Sequence, residues 1–486
     1  MGRKRYRSWT PDQSFLFPPS PQDWLPDNHL VYLVLDLVEV LDLSAIDGAL
    51  QRKDPRGERP YNPAMMVALL VYGYCTGVYS SRKIARAIHE QVAFRVLTGG
   101  QTPHFTRISA FRRTHLDALK GLFQQVLRLC MEAGLVKLGH IALDGTKVQA
   151  NASKHKANSY AHMKKLEERL QTEIADLMER AEASDTAEDV RLGTGVDEVD
   201  VPEELRRRED RLAKLRQAKQ ALEEESRRAR AAHLQELASG CDDRAESAAE
   251  PKKRKLNRTL AAKRRAAADA LFNDDDDEPP FQTPSGLPKN RPRTNTDGTP
   301  HDKAQRNFTD PDSRIMMSNG AFVQGYNCQV VADDAQIILA RDVTNQCPDS
   351  GNLVPMMEQT LENVGRAPDA ATADNGYWAP GVDEACSAMG IEVYVSTASR
   401  PVKETLPADA SPRTRMAHKT HTPEGRAIYR RRKYTVEPVF GQAKEARGFR
   451  RFHLRGLAAV TGEWSLVCTA HNILKMFRSG VVLAAA

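Results

Sequence analysis

The chain has 486 residues, enough for roughly three domains of ordinary size. Lys and Arg number 70 against 64 Asp and Glu, and the net charge of +6 neither requires nor excludes a nucleic-acid partner. The seven cysteines form no CxxC pair, which argues against a zinc site and a disulfide framework and favours a reducing compartment. The longest apolar stretch is shorter than the ~18 residues of a membrane span, so we expect a cytoplasmic protein that acts without a membrane.

Residues 1–135 are predicted to form a helical domain. After a proline-rich start, apolar residues recur at helical spacing in several short segments, and Thr106 can cap a long amphipathic helix that runs to about Ala133. Compact helical domains of this kind often bind DNA through one recognition helix. The basic residues of that candidate helix are Arg107, Arg112 and Arg113. A helical core with ordinary surface arginines is the alternative interpretation.

A mixed α/β sheet covered by helices is predicted for the second half of the chain. Leu135–Leu143 has the composition of a buried strand that ends at Asp144, and two β-rich segments follow from Ala321 onwards. A helix over Gly351–Gly365 comes next, and a short strand then ends at Asp374. With a further helix, strand and helix, the order β, β, β, α, β, α, β, α places two aspartates at strand ends.

Residues 155–310 have a different character and are interpreted as an insertion between the first two strands of the sheet. Two heptad-like runs of apolar residues predict a helical hairpin. The segment beyond it is basic over 252–265, acidic over 274–278, and then rich in Pro, Thr, Asn and Arg up to residue 300, so partial disorder is expected there. The heptad positions are Met163, Leu166, Leu170, Ile174 and Leu177 in the first run and Leu205, Leu212, Leu215 and Leu222 in the second.

Positive charge is concentrated near the C-terminal end of the chain. Residues 413–455 contain thirteen Lys and Arg against three acids, an excess of +10 that is larger than the net charge of the whole chain. Ordinary solvated helices usually alternate the sign of their charges, so this predicted basic helix favours a polyanion partner over a merely solvated face. Glu437 is one of its three acids.

Asp144, Asp374 and Glu437 come from separate elements, and they could meet where the strands of an α/β sheet end. Converging carboxylates repel one another unless a cation lies between them, and such oxygen ligands select Mg²⁺ or Mn²⁺. Two ions about 4 Å apart would clamp the attacking and leaving oxygens of a phosphoryl transfer. Taken one at a time, each acid is more simply an ordinary turn or ion-pair residue.

Four ordered motifs resemble a known family. They are IALDGTKVQANAS around Asp144, TDPDSR with GAFVQGYNCQVVAD, TADNGYW around Asp374, and YRRRKYTVEPVFGQAKEARGFRRFHLRGL around Glu437. Together they resemble the DDE transposases of bacterial insertion sequences, of the IS4/IS5-like group. Residues 61–100 and the following TPHFTRISAFRRTH resemble the N-terminal domain of that family, so the resemblance covers nearly the whole chain.

The resemblance implies the fold class α/β: a ribonuclease H-like mixed sheet with flanking helices, preceded by an all-helical N-terminal domain and interrupted by a helical, partly disordered insertion. Asp144, Asp374 and Glu437 would be the catalytic and metal-binding acids, and the cofactor would be Mg²⁺, bound as two ions, with Mn²⁺ as a substitute. The implied divisions are a DNA-binding domain at 1–135, the first core strand at 136–154, the insertion at 155–310, the rest of the catalytic core at 311–455 and a C-terminal helix at 456–486.

The third acid of this family lies in a signature of Tyr, Arg, Glu and Lys, which Tyr429, Arg432, Glu437 and Lys444 resemble. Four residues separate the Arg from the Glu where the commonest form has three, so the resemblance leaves open whether Arg432 or Lys433 contacts phosphate. The other basic residues expected to contact DNA are Arg447, Arg450 and Arg451. For Trp378 there are two interpretations, stacking on an unpaired base and packing.

The activity that the resemblance implies is metal-assisted attack of water on a phosphodiester at the ends of a mobile element, followed by attack of the released 3′-hydroxyl on target DNA. The implied partners are double-stranded DNA, as terminal inverted repeats and as target, and a second copy of the chain, because joining two ends requires at least a dimer. The protein would be cytoplasmic and associated with the bacterial nucleoid when bound to DNA. Two alternatives stay open: a nuclease without strand transfer, and a DNA-binding scaffold that has lost catalysis.

Overall fold

The computed structural model describes residues 20–52, 59–192, 203–271, 281–318, 320–397, 406 and 409–481, without the side chains of 180–205. The described chain has three parts. N-terminal helices come first, a mixed sheet with its covering helices follows, and long helices are inserted between the first two strands of that sheet. The predicted combination of a helical N-terminal region with a mixed α/β sheet is confirmed.

Seven α-helices lie in the described part of residues 20–132. They are α1 (Leu30–Val40), α2 (Ser44–Gln51), α3 (Pro63–Thr76), α4 (Ser81–Glu90), α5 (Val92–Thr98), α6 (Phe105–Thr114) and α7 (Leu116–Glu132). The Asn62 side chain caps α3, and Gly77 ends it with a left-handed φ of +79°. The predicted single helix from Thr106 onwards is wrong: it is divided into α6 and α7 because the backbone leaves helical geometry at His115.

A mixed sheet follows these helices. The strands are β1 (His140–Gln149), β2 (Ala157–Ser159), β3 (Gln305–Asn307), β4 (Arg314–Ser318), β5 (Ala321–Asp333), β6 (Ile338–Thr344), β7 (Ala370–Ala373) and β8 (Glu392–Val395). In the described residues the order is β4, β5, β1, β7, β8, with β6 also paired to β5, while β2 and β3 form a separate ladder. The central strand β1 is antiparallel to β5 and parallel to β7.

Asp144 lies within β1 and not after it, which corrects the predicted end of this strand. The strand continues to Gln149 because β5 is long enough to pair with it as far as Gly325. Asp374 directly follows β7, as its position after an apolar run predicted.

Three long helices, α8 (Tyr160–Leu192), α9 (Glu203–Glu246) and α10 (Pro251–Asp269), lie between β2 and β3 in the sequence. Helices α8 and α9 pack together through predicted heptad positions, among them the buried Met163, Leu170 and Leu222. The basic segment 252–265 is helical, in place of the expected disorder, because small residues of α10 pack against α9. The acidic run 274–278 lies outside the described residues, and Leu205 lies among the side chains that are not described.

The helices after the sheet begin with α11 (Leu353–Val364) and α12 (Val382–Ala388), and then come α13 (Pro412–His421), α14 (Pro423–Arg430), α15 (Arg432–Thr435), α16 (Glu437–Gly441), a π-helical turn over Gln442–Ala446, and α17 (Leu457–Ser479). The prediction of one basic helix over 413–455 is therefore wrong. Pro423 has no N–H to continue α13, and it favours the extended conformation that Thr422 adopts.

Helix α17 connects the N-terminal helices to the sheet. It contacts α3, α7 and β6, and most of its residues are buried, among them Trp464 and Glu463. In the described part of the chain no single helix is long and apolar enough to cross a membrane. Helices α3 and α4 reach the length and apolar composition of a membrane span only as a pair bent by 95°, and most of α3 is buried in the core.

Candidate active site

Two of the predicted acids are positioned by neighbouring parallel strands: Asp144 lies within β1, and Asp374 directly follows β7. Ala142 of β1 pairs with Thr372 of β7, and Asp144 and Asp374 each come two residues later. Side chains two residues apart share one face of a strand, so this register brings both carboxylates to one edge of the sheet. The Asp374 carboxylate accepts a hydrogen bond from the Gly376 N–H at 2.8 Å, which fixes its direction.

Arg432 joins Asp144 to the third predicted acid. One guanidinium nitrogen donates to Asp144 Oδ2 at 2.9 Å, and another lies 3.3 Å from Glu437 Oε1. The Arg432 and Asp144 side chains are 16% and 19% exposed, whereas that of Glu437 is 45% exposed. The guanidinium of Arg432 therefore contacts two of the three predicted acids, Asp144 and Glu437, while Asp374 influences it only through its charge. Of the two residues left open by the spacing, it is Arg432 and not Lys433 that contacts these acids.

The electrostatics of this edge follow from burial. Burial raises the pKa of Asp144 to about 6, the Arg432 guanidinium acts in the opposite direction, and the carboxylates of Asp374 and Asp349 raise the pKa further. For Arg432 burial alone would lower the pKa, but Asp144 and the neighbouring acids outweigh it, so its pKa is raised. The site therefore concentrates negative charge that needs a cation.

The donor chemistry of the site fits a hard divalent cation, because carboxylate oxygens are the ligands that Mg²⁺ and Mn²⁺ prefer. The distances between the acids do not yet form a metal site. Among the described residues no three His, Cys, Asp or Glu side chains lie close enough to hold one ion together. Arg432 supplies the positive charge between Asp144 and Glu437.

Asp349 is a fourth acid at this edge, and the sequence interpretation missed it. Its Oδ1 accepts hydrogen bonds from Asn327 Nδ2 at 2.7 Å and Gln329 Nε2 at 3.0 Å, and it lies 3.2 Å from Lys147 Nζ. In the sequence it stands in a Pro-Asp-Ser-Gly turn. The signal that could have found it is that this turn leads from a core strand to the next helix.

Gly145 allows the elements of the site to approach closely. A Cβ at Gly145 would lie 2.5 Å from Gln329 Nε2, 2.9 Å from Asp349 Oδ1 and 3.0 Å from the Tyr377 hydroxyl. The buried Tyr377 donates a hydrogen bond to Gln329 Oε1. The residue after Asp144 must therefore be small for this polar network to form.

The remaining basic residues of the C-terminal segment have different surroundings. Lys433, Arg450 and Arg451 are exposed, and Tyr429 is partly exposed. Lys444 is partly buried and donates to the Lys147 carbonyl at 2.9 Å. Arg447 is 9% exposed and donates to the Val467 carbonyl at 3.1 Å, so its burial corrects the prediction of DNA contact.

The N-terminal candidates divide in the same way. Arg107 and Arg113 are exposed on α6, but Arg112 is 4% exposed and donates to the Tyr74 hydroxyl at 3.2 Å and the Tyr79 carbonyl at 3.0 Å. Arg112 is therefore a structural residue, and its predicted DNA contact is corrected. Trp378 is partly buried against the core, which favours packing over base stacking.

Two family models match the chain. Residues 19–114 match a Transposase domain (DUF772), and residues 395–477 match a Transposase DDE domain. No curated protein and no solved structure matches it. The two matches support a DDE transposase of insertion-sequence type, and the family resemblance is confirmed.

A DDE transposase domain implies an enzyme that cleaves or transfers DNA, and such enzymes generally use divalent metal ions. The matched DDE segment contains Glu437 and Arg432. Asp144 and Asp374 lie outside it, so their assignment depends on the geometry of β1 and β7.

Proposed function

We propose that this protein is a DNA transposase with a ribonuclease H-like core, which cuts DNA at the ends of a mobile element and joins the 3′-hydroxyl ends to target DNA. The observation that carries the proposal is the contact of Arg432 with both Asp144 and Glu437, next to the strand register that brings Asp374 to the same edge of the sheet as Asp144. A sheet in which the central strand is antiparallel to one neighbour and parallel to the other supports the ribonuclease H-like assignment.

Asp144, Asp374 and Glu437 would hold Mg²⁺. The metal, bound as two ions, would supply charge neutralisation and activation of the attacking oxygen. The other positive charges at the site would come from basic side chains of the protein itself. Arg432, which pairs with Asp144, would contact a phosphate oxygen of the DNA, and Lys147, which pairs with Asp349, adds a second positive charge at the same edge. Fixed cations of this kind orient the phosphodiester and stabilise the charge that develops on it.

DNA would lie across the exposed basic residues beside the site, Lys433, Arg450 and Arg451, with Tyr429 and Lys444 close to the acids. Arg107 and Arg113 of α6 would contact the duplex from the N-terminal region. Joining two ends requires two catalytic centres, so the active complex would contain at least two copies of the chain, acting in the cytoplasm on nucleoid DNA.

The proposal is tested by Mg²⁺-dependent nicking of a duplex that carries the inverted repeats flanking the gene. Asp144→Asn and Glu437→Gln should each abolish nicking and leave duplex binding, because each removes a charge from the site and little volume. Asp369→Asn is a matched control, since Asp369 is exposed just before β7, away from the acidic edge. It should nick like the wild type.

Retained nicking by Asp144→Asn would contradict the assignment of the site. Nicking by the wild type without joined products in a strand-transfer assay would identify a nuclease instead of a transposase. Tight duplex binding with no nicking in Mg²⁺ or Mn²⁺ would identify a scaffold that has lost catalysis.

A further inference from the structure

A cavity of about 330 Å³ lies where the insertion meets the main sheet. Residues before β3, residues of β3 and the start of β4 line it, together with Gln324 of β5. Its cations are Arg291, Arg293, Lys303, Arg306 and Arg314, and none of its described lining residues is an Asp or Glu. A concave surface lined by cations without acids attracts an anion.

Three of these five cations are already paired with acids of α9. Glu225 accepts hydrogen bonds from Arg306 at 2.8 Å and from Arg314 at 2.7 Å. Glu236 likewise pairs with Arg291 at 2.8 Å. Arg293 and Lys303 are exposed, and within the described ranges neither has a carboxylate partner. The paired arginines shape the wall of the cavity, and two cations remain for a ligand.

Gln324 forms a buried part of the cavity wall. The side chain is 4% exposed, and its Nε2 donates to Ser313 Oγ at 2.8 Å, but its Oε1 is buried without a hydrogen-bond partner in the described structure.

The cavity lies on the same strands as the candidate active site, towards the far end of β1. Asp144 pairs with Val330 of β5 and Gln149 pairs with Gly325, the residue after Gln324. Five residues of strand correspond to about 17 Å. Phosphates of one DNA strand follow each other every 3.4 Å or so along the helix axis, so the cavity lies about five nucleotides from the acids.

The next residues of the chain connect the cavity to the predicted DNA surface. The Ala150 N–H donates to the Gln324 carbonyl at 2.9 Å, and the adjacent Asn151 accepts from the exposed Arg451 at 3.2 Å. One short segment is thus flanked by the cavity on one side and by Arg451 on the other. The cavity and the predicted DNA contact at Arg451 therefore lie on either side of the same two residues.

We infer that this cavity binds a backbone phosphate of the DNA duplex, about five nucleotides from the phosphate that is cut. The inference rests on the proposed function, because it takes DNA as the substrate of the site. Arg293 and Lys303 contact the phosphate, and the pairs of Glu225 hold the wall in place. The insertion thereby contributes to the grip on substrate DNA.

The test compares the full-length protein with the double variant Arg293→Ala, Lys303→Ala by fluorescence anisotropy on two labelled duplexes. The long duplex continues on both sides of the cut site well beyond the roughly five nucleotides at which the cavity is placed. The short duplex ends within about four base pairs of the cut site and therefore does not reach the cavity. On the long duplex we expect about tenfold weaker binding and a salt dependence that is shallower by about one to two phosphate contacts. On the short duplex binding should be unchanged.

The matched control is the double variant Arg128→Ala, Arg366→Ala, which removes two exposed arginines outside the cavity. It should bind both duplexes like the wild type, and circular dichroism checks that both double variants fold. An equal loss on both duplexes, or no loss on the long one, would overturn the inference. Poly-glutamate is a second probe in the same assay. If the double variant lost binding to poly-glutamate but still bound the duplex, the ligand would be an acidic peptide and the inference would be overturned.

Nicking by the same preparations separates the two proposals. Wild-type protein that binds the long duplex in a length-dependent way but never nicks it would contradict the proposed function and leave the binding result intact. A double variant that binds the long duplex like the wild type, in a protein that nicks normally, would contradict only the inference about the cavity.

Discussion

The insertion helices and the candidate active site are both rich in charge, but they hold it in different surroundings. In the insertion, Glu173 pairs with Arg169 and Arg208 at the surface, where solvent screens the charges. At the active site, the Arg432 and Asp144 side chains are both less than one-fifth exposed, and removing either would leave a buried charge unbalanced. The insertion is therefore held by its apolar heptads, whereas the site depends on charge balance inside the sheet.

The largest expected effect tests whether the two regions unfold as one unit. Trp464 of α17 is 2% exposed and packs between the N-terminal helices and the sheet, so Trp464→Ala should lower the free energy of unfolding by about 3–5 kcal/mol. Leu222→Ala should loosen only the packing of α8 on α9. Urea unfolding followed by circular dichroism measures the first change, and hydrogen exchange of the insertion measures the second.

If Leu222→Ala moved the main urea transition as far as Trp464→Ala does, the insertion and the core would be one cooperative unit. The contrast between the two regions would then fail.

Acid should also act differently on the two regions. Burial lowers the pKa of His471 in α17 to about 3, with Arg447, Lys475 and Arg478 acting in the same direction. The unfolded chain then binds the proton first, near pH 6.5, so the contribution of this histidine to stability is present above that pH and is lost as the pH falls. At pH 5 the loss amounts to about 2 kcal/mol.

The measurement compares wild type with His471→Gln, whose amide can still donate to the Gln336 carbonyl that His471 contacts at 2.8 Å. Between pH 7.5 and pH 5 the free energy of unfolding of the wild type should fall by about 2 kcal/mol more than that of the variant. A difference between the two proteins that does not change with pH would contradict the depressed pKa.

The same contrast explains what the sequence could predict. The hairpin of α8 and α9 follows from a local repeat, since each heptad position specifies its own contact. Asp374 was found because it directly follows an apolar strand. Asp349 could not be found in this way, because its contacts with Lys147, Asn327 and Gln329 depend on how distant strands pair.

The errors have a common physical origin. A count of charges along the sequence treats Arg112 and Arg447 as surface residues. In the structure, packing of α6 and α17 buries them, and they donate to backbone carbonyls. The break in the predicted basic helix at Pro423 is a local signal that the charge pattern hid. Charge composition thus predicts a polyanion surface in residues 413–455, but it cannot decide which of the arginines there are exposed.

A smaller effect is expected from the close contacts at the active site. Gly145→Ala would press a methyl group against Asp349, Gln329 and Tyr377, and the side chains of Gln329 and Asp349 must move to make room for it. We expect about a tenfold loss of nicking, or about 1.4 kcal/mol, with the protein still folded. Gly121→Ala in α7 is the control, because a Cβ there meets no atom within 4 Å. Unchanged nicking by Gly145→Ala would show that the network does not position the acids.

The smallest effect is expected at the surface of the insertion, where Glu173→Gln removes one partner of two ion pairs. Hydrogen bonds from Arg169 and Arg208 lower the pKa of Glu173, so its contribution to stability is present at neutral pH and is lost as the pH falls through the carboxylate range. Hydrogen exchange of α8 and α9 should speed up slightly at low salt. At about 1 M salt the difference should vanish, because the screening length falls to about 3 Å. Glu209→Gln, which changes an exposed glutamate of α9, is the control. An effect of Glu173→Gln that persisted at high salt would mean that the insertion, like the active site, depends on charges that solvent does not screen.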